Sequence, residues 1–195
     1  MTQRNSDPSV DELAGRAKEG DRLAFAGLVQ STQQRVFALA FRLLYDENDA
    51  RDVAQESYIR VWEHFHRFKS DQRFEPWLLR IVTNLALDRL RARKRWWKVF
   101  QRGDALSEKE VPRATDLEGQ HSNAELAAAI RSISAHLPEK QRMVFILRDL
   151  EDCSVAEVAA ITDMSPESVK TNLHYARKRI CEILEKQYGV RKGNR

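Results

Sequence analysis

The residues best placed to do chemistry lie between Phe74 and Arg91, where Trp77, Arg80, Asn84, Asp88 and Arg91 follow one another at intervals of three or four. That spacing puts them on one side of a helix. Aromatic faces stack on unpaired bases, amides and carboxylates bond base edges, and guanidinium groups hold the backbone; all three chemistries adjoin here. Lys69 and Arg73, in a polar stretch just before, extend the set. The structural alternative puts Trp77, Ile81, Leu85 and Phe74 in a hydrophobic core. Trp96 and Trp97, beside Arg93 to Arg95, carry the same ambiguity.

A second pattern runs from Ser154 to Arg179. A short helix opened by the capping pair Ser154 and Glu157 is followed by the break Thr162-Asp163-Met164-Ser165 and a longer basic helix starting at Pro166. This is the length pattern of a helix-turn-helix. Val169, Leu173, Ala176 and Ile180 form one apolar stripe, which leaves Lys170, Thr171, His174, Arg177 and Lys178 for a major groove or, more plainly, for solvent. A third pattern, Asp49, Asp52, Gln55 and Glu56, makes an acidic helix face, which fits either solvent or a basic partner surface.

These segments require helices to carry them. The spacing predicts helices over about 11–19, 21–44 and 49–66, the third with Val53, Ala54, Val61, Trp62 and Phe65 for a core. Asp46 and Asn48 serve as turn and cap between the last two. Pro76 fits the first turn of a fourth helix reaching Arg95 or beyond. Ser122 with Glu125 opens a further helix to about Ala135, and Pro138 another with Val144, Ile146 and Leu147 in its core. Between the halves, apolar residues are sparse from Gln101 to His121, and Pro112 interrupts any helical period. The expectation is an all-α fold: a helical domain over 1–100, an acidic flexible linker over 101–121, and a second helical domain over 122–195 containing the helix-turn-helix.

Composition agrees, with 42% hydrophobic and 32% charged residues and only 7 Gly and 5 Pro among 195 residues. The net charge of +4 hides strong segregation. Arg80 to Arg102 holds eight basic residues against Asp88, whereas Asp46 to Glu56 holds five acids against Arg51, and Gly103 to Glu125 six acids against Lys109 and Arg113. A local basic field matters more to a phosphate backbone than the average does.

No apolar run approaches the roughly 18 residues of a membrane span, and no export signal is present, so a cytoplasmic location is expected. Two distant cysteines, Cys153 and Cys181, fit a reducing compartment and read as buried, inert thiols rather than a redox switch. There is no Walker loop, HExxH, GxSxG or Cys/His metal spacing, and His64 and His66 fall on different sides of a helix. No catalytic residue, metal or cofactor is expected.

Taken together, Asp49-Ala50-Arg51-Asp52-Val53-Ala54-Gln55-Glu56, Phe74-Glu75-Pro76-Trp77-Leu78-Leu79-Arg80-Ile81-Val82-Thr83-Asn84 and Leu137-Pro138-Glu139-Lys140-Gln141-Arg142 resemble, in order and spacing, the signature segments of extracytoplasmic-function sigma factors of the sigma-70 family. The resemblance spans about Ala24 to Leu184. It implies that Asp49, Asp52, Gln55 and Glu56 bind the clamp helices of the largest subunit of core RNA polymerase. It implies that Lys69, Arg73, Trp77, Arg80, Asn84, Asp88 and Arg91 engage the −10 promoter element, and that Lys170, Thr171, His174, Arg177 and Lys178 read the −35 element. A role in an envelope or redox stress response, under an anti-sigma factor, is implied as well. Two other readings stay open: a regulator that binds duplex DNA without polymerase, and an enzyme.

Overall fold

The structure, a computed structural model, describes residues 8–69, 72–100 and 136–188. Its described elements are all helical, in two compact units, Met1–Leu90 and Arg91–Arg195. The division falls inside a helix, at Leu90/Arg91; the expected linker and the helix expected from Ser122 lie outside the described residues.

In the first unit, α1 (Val10–Lys18), α2 (Arg22–Leu44) and α3 (Glu47–His64) are each started by a side chain. Ser9 and Glu12 form a capping box, the hydroxyl accepting from the Glu12 amide at 3.2 Å and the carboxylate from the Ser9 amide at 2.7 Å. Asp21 accepts from the Leu23 and Ala24 amides at 2.9 and 3.0 Å. Tyr45 closes α2 in the left-handed region at φ 54°, and Asp46 caps α3 through the Asp49 amide. Asn48, expected as a cap, lies inside α3 instead.

A 3₁₀ turn (Phe65–Arg67) leads toward α4 (Phe74–Phe100). Phe74 opens this helix. Its amide, which no intrahelical carbonyl can reach, donates to Asp11 of α1 at 2.8 Å, and Glu75 accepts from Arg35 of α2 at 2.8 Å. Phe65, Phe68, Phe74 and Trp77 close the same corner with ring centroids 5.3–6.1 Å apart. Phe74, Leu78, Val82, Leu85 and Ala86 of α4 are buried with Leu28, Leu39, Val53 and Val61. The expected α3 core holds for Val53, Val61 and Phe65, but Ala54 is only half-buried. Trp62 is 45% exposed, packing edge-on against Phe25 at 4.9 Å.

In the second unit, α5 (Glu139–Phe145) runs into a wider π turn (Ile146–Leu150), where one continuous helix was expected. Val144, Ile146 and Leu147 are fully buried. The chain reverses at Asp152 (φ 56°), and Ser154 with Glu157 makes the predicted capping box for α6 (Val155–Thr162). Asp163 ends α6 in the left-handed region; the Ser165 hydroxyl accepts from the Ser168 amide at 3.2 Å, and Pro166 opens α7 (Pro166–Tyr188). Val169, Leu173 and Ala176 are buried, while Ile180 is half-exposed. Cys153 is buried, but Cys181, on the outer side of α7, is exposed, correcting the reading of both thiols as buried.

Asp21 generates a test. The Ala24 amide, then Arg16, hold its carboxyl below the ordinary value of 3.8. A carboxyl depressed in the fold stabilises it above the unfolded value, and that contribution is lost as pH falls through the folded one. Asp21→Ala should therefore lower the urea midpoint near neutral pH, and the gap from the parent chain should close progressively on acidification below about pH 4.

Candidate nucleic-acid interface

Because one side of α4 is buried, its opposite side is fixed. Arg80, Asn84 and Asp88 are all exposed, at intervals of four, and so form a polar stripe along the helix within the first unit. Arg91, the first residue of the second unit, is exposed as well. Trp77 stands at the start of the stripe, half-buried among Phe65, Phe68 and Phe74. Its ring belongs to the aromatic corner, and part of it reaches the surface. Lys69 and Arg73 are exposed before it, with Arg73 3.8 Å from Glu75. The side chains of Trp96 and Trp97 lie outside the described residues.

The acidic face of α3 is less bare than its sequence. Asp52 and Gln55 are exposed, Asp49 and Glu56 half-buried. Arg89 of α4 reaches Asp49 at 3.1 Å and Asp52 at 3.5 Å, and Glu56 pairs with Arg60 one turn on at 3.0 Å. Sequence reasoning missed Arg89, whose role depends on α4 lying beside α3. Ile59 and Trp62, both exposed, continue the line of Asp52 and Gln55 at helical spacing and give it an apolar end.

On α7, Lys170, Thr171, His174 and Lys178 are exposed. Tyr175, to which the sequence reading gave no contact, is 53% exposed and lies edge-on to His174 with ring centroids 5.6 Å apart. Asn172 turns back on its own helix, donating to the Ser168 carbonyl at 2.8 Å. Arg177 is engaged elsewhere: its Nε and a terminal nitrogen donate to the two carboxylate oxygens of Asp149 at 2.8 and 2.6 Å, which raises its already high pKa. Among the described residues no group of three or more His, Cys, Asp or Glu is placed to hold a metal ion, and no helix is long and apolar enough to cross a membrane.

The segments carrying these surfaces coincide with known families. Residues 28–96 match Sigma-70 region 2 and residues 127–180 match Sigma-70, region 4. The ECF RNA polymerase sigma factor SigW of Bacillus subtilis is 30% identical over 177 residues, covering 88% of this chain and 92% of that one. The chain belongs to the extracytoplasmic-function sigma factors. The ECF RNA polymerase sigma-E factor of Escherichia coli is similar at 32% identity over 178 residues, 86% of this sigma factor and 90% of its own length. CnrH, solved with the cytosolic domain of CnrY, shares the fold with a TM-score of 0.68 at 24% identity, covering 92% of this chain and 99% of that one. RpoE of Bartonella quintana, solved with the anti-sigma factor NepR, does so with a TM-score of 0.68 at 21% identity, covering 84% and 98%. As a member of this family the sigma factor is a non-enzymatic component of transcription initiation.

Directly beneath the α4 stripe, Thr83 is fully buried and its hydroxyl has no hydrogen-bond partner among the described residues. An unpaired buried hydroxyl costs free energy that an isosteric methyl avoids. Thr83→Val should raise stability by about 1 kcal/mol in urea unfolding, leaving Arg80 and Asn84 on the outer side undisturbed.

Proposed function

We propose that this sigma factor recruits core RNA polymerase through the α3 face and recognises promoters at two elements, one with each unit. Asp49, Asp52, Gln55 and Glu56 dock on the clamp helices of the polymerase largest subunit, in competition with the internal pairings to Arg89 and Arg60. The α4 stripe, with Lys69 and Arg73, captures the non-template strand of the −10 element, Asn84 bonding an extruded base whose unstacking cost is offset by binding. Arg80 and Arg91 hold its backbone, Asp88 bonds a base edge, and the exposed part of Trp77 offers a stacking surface. Lys170, Thr171, His174 and Lys178 on α7 read the −35 element from the major groove.

One observation carries this reading: the burial of the inner side of α4 leaves a guanidinium group, an amide and a carboxylate in line on its outer side, in a chain of the sigma factor family. A regulator binding duplex DNA alone would have no use for that line or for the acidic face beside it. The domain roles follow as residues 1–100 for polymerase and the −10 element, 101–121 as connector, and 122–195 for the −35 element. Action in the cytoplasm, in a stress response and under an anti-sigma factor, completes the proposal; RpoE of Bartonella quintana was solved with such a partner.

In gel filtration the chain should co-elute with purified core polymerase. Asn84→Ala should still co-elute but lose reactivity of −10 thymines to permanganate. Equal loss of polymerase binding in that variant would remove Asn84 from its role, and failure of the parent chain to co-elute would remove the function.

A further inference from the structure

Arg177 is among the five α7 residues that sequence spacing directs to DNA, yet its geometry sets it apart. Val169, Leu173 and Ala176 mark the buried side of the helix. At about 100° per residue, Thr171 and Lys178 fall nearly opposite that side, whereas Arg177 falls at its margin. From there it forks onto Asp149, two parallel bonds of 2.8 and 2.6 Å, the arrangement in which an arginine–carboxylate pair is strongest and most directional. Asp149 sits in the π turn, two residues beyond the fully buried Leu147, and its own side chain is only 18% exposed. If a phosphate took Arg177, a largely buried carboxylate would lose its counter-charge, so trading one anion for the other gains little.

We propose that Arg177 and Asp149 form a clamp fixing the rotation of α7 on the π turn. Arg177 is thus a positioning residue rather than a DNA contact, and −35 reading falls to Lys170, Thr171, His174 and Lys178. This rests on α7 being the DNA-reading helix. The clamp sets which side chains face the groove: a turn of α7 about its axis would bring Arg177 outward and carry Tyr175 away.

The test uses the full chain bound to core polymerase and a duplex enriched from a random-sequence library by the parent complex. Affinity is measured across salt concentrations for Arg177→Ala, Arg177→Lys, Asp149→Ala and the double alanine variant, with thermal unfolding of each as a folding control. Each alanine variant should bind about tenfold more weakly, with the double variant no weaker than the worse single one. Arg177→Lys, which keeps the charge but not the fork, should also weaken. The dependence of log affinity on log salt should not change. The clamp is refuted if Asp149→Ala leaves binding unchanged or tighter, if the two losses multiply, or if Arg177→Ala lowers the salt slope by about 0.9, the mark of one lost phosphate contact. Where alanine unfolds the unit, Asp149→Asn and Arg177→Gln are judged by the same criteria. A parent complex that enriches no element upstream of −10 would instead sink the assignment of α7 itself.

Discussion

The burial of one side of α4 is the constraint on which the first unit depends. Phe74, Leu78, Val82 and Leu85 return at helical spacing and vanish into the core. Each such side chain contributes roughly 1.5–3 kcal/mol by leaving water. That burial leaves no freedom in where Arg80, Asn84 and Asp88 emerge. The aromatic corner, the bond from the Phe74 amide to Asp11 and the bond from Arg35 to Glu75 pin the start of the helix, so the polar stripe is held by side chains from α1, α2 and the 3₁₀ turn. A site presented from a rigid helix keeps its groups in place before the ligand arrives.

The second unit uses the same principle with a different fastening. Three buried residues hold α7 by its apolar side, while the fork from Arg177 to Asp149 fixes it at the margin. The short α6 and the left-handed Asp163 set the approach, as in a helix-turn-helix. In both units the cations and amides offered to a ligand are those that core packing leaves outside.

Local chemistry was legible in the sequence at places where its partners are close. Ser154 and Ser165 start their helices as capping patterns lead one to expect, whereas the caps at Ser9 and Asp21 were not read, and the one for α3 was read at Asn48 rather than at Asp46. The apolar stripe of α7 was equally readable in Val169, Leu173 and Ala176, since period locates a buried side, whereas on α4 Phe74 and Leu85 are buried but Trp77 and Ile81, offered for the same core, are only half-buried. What periodicity could not show is pairing across long sequence distances. Arg89 with Asp49, Asp11 with Phe74 and Arg177 with Asp149 all join separate helices. Trp62 was placed in the core because it shares a side of α3 with apolar neighbours, but it stands at the rim, where Phe25 covers only part of it. The π turn escaped because an i→i+5 bond leaves no mark in residue type.

A chain that lends sequence preference to a polymerase has one decisive property: transcription starts where the enzyme alone would not start. The most direct measurement maps RNA 5′ ends produced by core polymerase from a genomic fragment library, with and without this protein. Discrete start sites, preceded by a shared pair of motifs at constant spacing and present only when the chain is added, are the predicted result. An unchanged pattern of starts on its addition would contradict the account.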